Sequence, residues 1–262
     1  MAKAPTSTVR QSSDGSSKPS LPPHPVLDAY YDSADVRQDV VTKLFDETAV
    51  HYDRVTGLMS LGTGAAYRRH ILRRAGIGPG AKVLDVACGT GQVSTAAMKL
   101  VGPEGSVLGV DPSSGMRRVA ETRRGVQTMH GSAGALPVDD ASYDFVLMGY
   151  ALRHVDDLMT AFRDMHRVLR PGGKVVILEI TAPSGRIRRM LLRTYLQYVV
   201  PPMGMLVTGN RAVMHLMRYY WDSIDQCVRP EVILDALEQA GFSDPVRQVS
   251  LGCFTEYIAT RR

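Results

Sequence analysis

Long apolar runs are missing from this chain of 262 residues. No uninterrupted stretch reaches the ~18 residues that a membrane-spanning helix needs, so no such helix is expected. The opening Met1-Ala2-Lys3-Ala4-Pro5 lacks the apolar core of a secretory signal, so export is not expected either. Cysteine is scarce. Cys88, Cys227 and Cys253 form no metal-binding spacing and cannot all pair, which favours a reducing, cytoplasmic setting. The seven histidines are mostly scattered, and no metal is expected. Neither sign of charge is in large excess: a net +5 is modest for this length and does not by itself imply nucleic acid. An Asn-Pro-Pro-Tyr base-flipping motif is also lacking, so nucleic acid is not an expected partner. The hydrophobic fraction of 44% is ample for the core of one α/β domain with additions.

What is present is organised around Lys82-Val83-Leu84-Asp85-Val86-Ala87-Cys88-Gly89-Thr90-Gly91. An apolar run ends near an acid and breaks into two glycines, and a stretch with helical spacing follows. This reads as strand, tight turn, helix, with backbone N–H groups available to a ligand at the helix start. Cys88 fills a small-residue slot in that turn. A second apolar run, Ser106 to Val110, ends in Asp111, about 20 residues after the turn. An acid at that strand tip can accept hydrogen bonds from ribose hydroxyls. The sixth position counted from Gly89 is Ser94, so the third glycine of a dinucleotide fingerprint is absent. A nucleoside without a pyrophosphate, such as S-adenosylmethionine, fits better than NAD.

Leu84 to Gly91 resembles motif I of class I S-adenosylmethionine-dependent methyltransferases. Gly131-Ser132-Ala133-Gly134-Ala135-Leu136-Pro137-Val138-Asp139 resembles their third-loop motif, and Leu169-Arg170-Pro171-Gly172-Gly173-Lys174 their turn before the fifth strand. A narrower resemblance is to the ubiquinone/menaquinone biosynthesis C-methyltransferase family. It rests on Tyr52-Asp53 with Leu58-Met59-Ser60-Leu61-Gly62, and on Ala151-Leu152-Arg153-His154-Val155. It covers about residues 44 to 260. Three departures accompany it: Thr56 stands where the family usually has Asn, His154 follows Arg153 where Asn is usual, and Gly149 replaces a common Ser.

The resemblance implies a Rossmann-like α/β fold with a seven-stranded, mostly parallel sheet. The sequence pattern itself alternates strands near 82–87, 106–110, 126–130, 143–149 and 174–180 with helices near 91–101, 114–122, 157–169 and 231–240. Val246–Ser250 and Phe254–Ala259 resemble the closing antiparallel hairpin. Residues 1–25, rich in Ser and Pro, are expected to form a disordered tail, and 26–262 the methyltransferase domain. Val26 to Ile71 reads as helices interrupted at Gly57 and at Ser60–Gly64. Residues 182–230 form a helical insertion before the last helix and hairpin. It is rich in Met, Tyr and Arg and reads either as a cap whose methionines pack on the core or as a lid over an apolar substrate. A membrane surface and a second copy of the chain stay open as partners.

The implied activity is S-adenosylmethionine-dependent methylation of a hydrophobic small molecule, with carbon methylation of a hydroquinone first. Methylation at oxygen or nitrogen of another aromatic metabolite, an amine or a phospholipid headgroup is the alternative. Expected cofactor contacts are Asp85, Ala87, Gly89, Thr90, Gly91, Asp111, Pro112, Met116, Ser132, Ala133 and Gly149. The expected catalytic set is Arg153 to stabilise a phenolate, His154 to accept a proton and Tyr52 to orient the hydroxyl.

Overall fold

The computed structural model describes residues 20–60 and 62–262. Residues 1–19, most of the expected tail, and Leu61 of the Tyr52 motif lie outside the described residues. Seven strands form one sheet: β1 (Lys82–Val86), β2 (Ser106–Asp111), β3 (Gln127–His130), β4 (Tyr143–Gly149), β5 (Leu169–Ile180), β6 (Phe242–Ser250) and β7 (Phe254–Arg261). Their order is β3-β2-β1-β4-β5-β7-β6, parallel from β3 to β5, with β7 antiparallel to both of its neighbours. The period of two decides which residues face which layer. Leu84, Val86, Val146, Met148, Val175 and Ile177 share one core with α5 (Leu158–Val168) and α9 (Pro230–Gln239). Val83, Leu147, Val176 and Leu178 share the other with α2 (Gly64–Arg74) and α3 (Gln92–Val101). Both faces of the central strands are therefore dry, which is why they read as apolar runs rather than alternating ones.

Two strands begin earlier than their apolar runs. Gly172, at φ 81°, folds Arg170–Gly173 back against the start of β4, so β5 pairs already at Tyr143–Leu169 and resumes at Phe145–Lys174. β6 starts at Phe242, and its register breaks between Ser243 and Val246, where Asp244 has φ 52°.

The N-terminal region departs further from expectation. Arg37–Met59 is one helix of 23 residues, α1, and Gly57 does not interrupt it. A glycine inside a helix costs about 1 kcal/mol, and α1 offsets it with side-chain hydrogen bonds to the turn after β1 and to the helices beside it, described below. Residues 20–25 are fixed rather than part of a tail. The Leu21 N–H donates to the Asp157 carboxylate, Leu21 C=O accepts from Leu158 N–H, Pro23 C=O accepts from Val228 N–H, and His24 is buried.

The insertion holds α6 (Arg186–Thr194), a π-helical turn (Tyr195–Val199), α7 (Val200–Thr208) and α8 (Arg211–Asp225). Pro201 and Pro202 have no N–H, so the carbonyls four residues before them lose their α-helical donors, and the wider turn sits there. Of these, α7 and α8 pack on α1. Leu196, Val200, Val213, Leu216, Met217 and Trp221 form a core with Val41, Leu44 and Val55. Met217 is buried in it, whereas Met190 and Met203 are exposed.

Candidate active site

A cavity of about 680 Å³ opens over the C-terminal ends of β1, β2 and β4, roofed by α1 and the insertion. The strand order reverses beside β1, and ligands bind open α/β sheets at that crevice. The volume and the mainly apolar lining suit a bound small molecule. Ala87, Gly89, Thr90, Asp111, Pro112, Met116, Ser132, Ala133, Gly149, Tyr52 and His154 all line it. Asp85, Gly91 and Arg153, also expected at the site, lie outside its lining.

Each of those three is held elsewhere by packing. Asp85 is fully buried under the turn and accepts from Ser94 Oγ, and its Oδ1 has no partner among the described residues. Burial pushes its carboxyl up to about 7. Gly91, at φ 78°, turns toward α4 (Ser114–Arg124) and β3, where a Cβ would meet Val126 at 2.9 Å. Arg153 is buried behind the cavity wall.

Asp111 is placed to serve a ligand. Its Oδ2 accepts from Gly89 N–H at 2.8 Å and its Oδ1 from Ser113 N–H at 2.8 Å. Asp111 lines the cavity, and each carboxylate oxygen can accept a further hydrogen bond. Burial raises its pKa to about 6, against the pull of those two N–H groups. At Gly89, φ 56°, a Cβ would meet nothing within 4 Å, because the space on that side is the cavity itself. Gly149 is explained by packing: a Cβ there would come within 2.4 Å of Val93 Cγ2. Ala87 and Tyr150, just past β1 and β4, have φ of 54° and 63° and both line the cavity, so backbone strain gathers at this rim.

The roof is tied down by two acids whose roles the sequence did not reveal. Asp53 accepts from Thr90 Oγ1 at 2.6 Å, Gln92 Nε2 at 2.8 Å and Arg124 Nη2 at 2.7 Å. Burial pushes its pKa up, but these donors outweigh it and hold the carboxyl below the usual range. Seven residues earlier, Asp46 accepts from Ser113 Oγ and from Gly115 N–H at the start of α4. Two turns of α1 thus bridge the glycine turn and the Asp111 loop. The visible signal was their spacing of seven, which sets both on one helix face.

At the other end of the cavity the hydroxyls of Tyr52 and Tyr220 hydrogen-bond to each other. Burial, then Tyr220, raises the Tyr52 pKa well above its ordinary value, so this hydroxyl stays protonated. Beneath Tyr220 lies Arg153, its guanidinium carbon 4.3 Å from the ring centroid. Arg153 pairs with buried Glu179 and donates to Tyr150 C=O and Ser223 Oγ. Burial opposes its charge, but Glu179 prevails and it remains a cation. His154 stacks on Tyr219 and shares a 3.1 Å hydrogen bond with its hydroxyl through Nδ1. Its Nε2 has no partner among the described residues. Burial and neighbouring Arg153 lower its pKa well below 6.5, so the ring is neutral at working pH. The wall facing these groups is apolar: Leu192, Tyr195 and Leu196 of the insertion line it, whereas Met203 does not.

The model of the ubiE/COQ5 methyltransferase family matches residues 33–260. A demethylmenaquinone methyltransferase of Geobacillus kaustophilus is 32% identical over 235 residues, covering 86% of this chain and 98% of the relative. A protein of the same name from Anoxybacillus flavithermus is 35% identical over 214 residues, covering 79% and 88%. Among solved structures, a SAM-dependent methyltransferase from Thermotoga maritima, described as a possible histamine N-methyltransferase, superposes with a TM-score of 0.61. At 19% identity over 84% of this chain and 99% of that one, it carries the fold alone.

Proposed function

This chain belongs to the ubiE/COQ5 methyltransferase family and is an S-adenosylmethionine-dependent methyltransferase, and from that premise we propose that it methylates a ring carbon of a demethylated hydroquinone with an apolar tail. The observation that carries the reading is one cavity with two unlike ends: the glycine turn with Asp111, and the Tyr52–Tyr220 hydroxyl pair facing an apolar wall. When bound, S-adenosylmethionine supplies an electrophilic methyl on its sulfonium. Asp111 would take the ribose hydroxyls with its free lone pairs, the bare side of Gly89 would admit the cofactor beside the backbone, and Ser132 and Ala133 would border the adenine. Asp85 would act through the turn it holds.

A hydroquinone ring becomes nucleophilic at carbon when one of its hydroxyls loses its proton. The Tyr52–Tyr220 pair would hold that hydroxyl in place, and the fixed Arg153 cation behind Tyr220 would favour the phenolate without touching it. Arg153 is thereby a positioning residue. His154, kept neutral, can accept a hydrogen bond at Nε2 but is a weak base, so the hydroxyl proton passes to solvent, and so does the proton on the methylated ring carbon, whose loss after the S–CH3 bond breaks restores the aromatic ring. The roof of α1 and the insertion would exclude water from the methyl.

The test is transfer of labelled methyl from S-adenosylmethionine to a short-chain demethylmenaquinol kept reduced, with the labelled atom located by mass spectrometry. The expected product carries the label on a ring carbon. Tyr52→Phe and Tyr220→Phe should each lower kcat roughly 10- to 100-fold, with cofactor affinity within a few-fold. Label confined to oxygen or nitrogen acceptors, such as amines or phospholipid headgroups, would overturn the assignment.

A further inference from the structure

α6 is amphipathic, yet none of its nine residues is buried. Ile187, Met190 and Leu191 lie on one side of it at 100° per residue and are 71%, 59% and 62% exposed. Tyr198, about two turns beyond Leu191, continues the strip at 62%. A helix whose apolar side faces neither core nor partner helix needs another medium against that side. Arg186 and Arg193 border the strip on one edge and Arg188 on the other. These three make no ion pair among the described residues, while Arg189 pairs with Asp225. Leu192, turned about 100° from Leu191, lines the cavity, so the strip runs along its mouth. The β6–β7 turn extends the same rim: Leu251 is 88% exposed and lines the mouth, and Gly252 sits beside the Arg188 guanidinium.

From this we infer that α6 and the β6–β7 turn dock on an anionic lipid surface, so that the cavity mouth opens onto the bilayer. The arginines would meet lipid phosphates while the apolar strip enters the acyl boundary. Charge separates this occupant from a second copy of the chain. An isologous contact would set four arginines and no acid of one α6 against the same set of another. The inference rests on the reading that the acceptor has an apolar tail, since such a molecule resides in lipid and would enter from it.

Flotation of the full chain with vesicles tests the surface without any acceptor. Binding is expected to phosphatidylcholine vesicles containing phosphatidylglycerol and not to phosphatidylcholine alone. It should weaken as salt rises from about 0.1 M to about 1 M, which shortens the Debye length from about 10 Å to about 3 Å. Arg186→Ala/Arg188→Ala/Arg193→Ala should lower the partition coefficient on the order of a hundredfold. Ile187→Asn/Leu191→Asn should lower it at least tenfold. Both variants should keep cofactor affinity and their turnover of a water-soluble short-chain acceptor, and if the second fails to fold, the arginine variant alone decides. Equal binding to neutral vesicles, no binding to either, or a dimer in solution that Ile187→Asn/Leu191→Asn dissociates would each overturn the assignment. If flotation succeeds while carbon methylation fails, the acceptor reading falls and the surface stands.

Discussion

Asp111 and Asp85 stand at adjacent strand ends and are both raised by burial, with different consequences. Asp111 faces the cavity with a pKa of about 6, so its strength as an acceptor declines as it protonates. Cofactor affinity, measured by calorimetry, is expected to fall as pH drops through about 6, and Asp111→Asn should flatten that dependence while weakening binding at pH 8. Asp85 is a matter of stability. Its pKa rises to about 7 on folding, so the folded state binds the proton more tightly than the unfolded chain does. Below the ordinary carboxylate range the group is neutral in both states and has no effect. Between about 4 and about 7 the unfolded chain ionises first and stability falls, and above 7 the full cost remains, on the order of a few kcal/mol. Asp85→Asn should therefore stabilise the protein at pH 8 and do little near pH 4, as read from urea midpoints at the two values. The position of both acids was legible, because each ends an apolar run. That one faces the cavity and the other the turn was not, because this depends on which oxygen Ser94 and Gly89 reach.

At the scale of elements, the roof and the buried pair carry the arrangement. Asp53→Ala removes the acceptor shared by Thr90, Gln92 and Arg124. A loss of about 1–3 kcal/mol is expected, with faster hydrogen exchange across α1 and faster cofactor release. Arg153 and Glu179 tie the loop after β4 to the end of β5. Arg153→Ala leaves Glu179 charged and buried, and should cost about 3–5 kcal/mol. Arg153→Met/Glu179→Leu should restore most of that stability but not the turnover, which separates the folding role of the cation from its influence on the acceptor. Glu179 is an acid inside the otherwise apolar run Val175–Ile180, and that oddity in the run was the readable signal. The continuity of α1 through Gly57 was not readable, because α1 is held through Asp53 by residues 37 and 39 positions beyond that acid, Thr90 and Gln92, rather than by local propensity.

Over the whole molecule, the alternation of apolar runs and helical spacings made the sheet and its two cores legible, since strands dry on both faces differ plainly from amphipathic helices. The insertion was legible as helical, but its division was not: Met217 and Trp221 turn inward and Met190 outward, and composition cannot sort them. The strand order has one more consequence, in the time domain. β7 follows β6 along the chain yet lies between β5 and β6. During synthesis, then, β5 presents an unpaired edge, from Lys174 to Ile180, until residues 254–261 emerge and slide into place. A chain stopped at Cys253 should fail to form the β5 side of the sheet and should aggregate, as light scattering would register, even though every cavity residue except Phe254 has been made. The nascent enzyme thus holds nearly all of its chemistry before it holds its shape, and in that interval it depends on whatever covers one row of backbone amides.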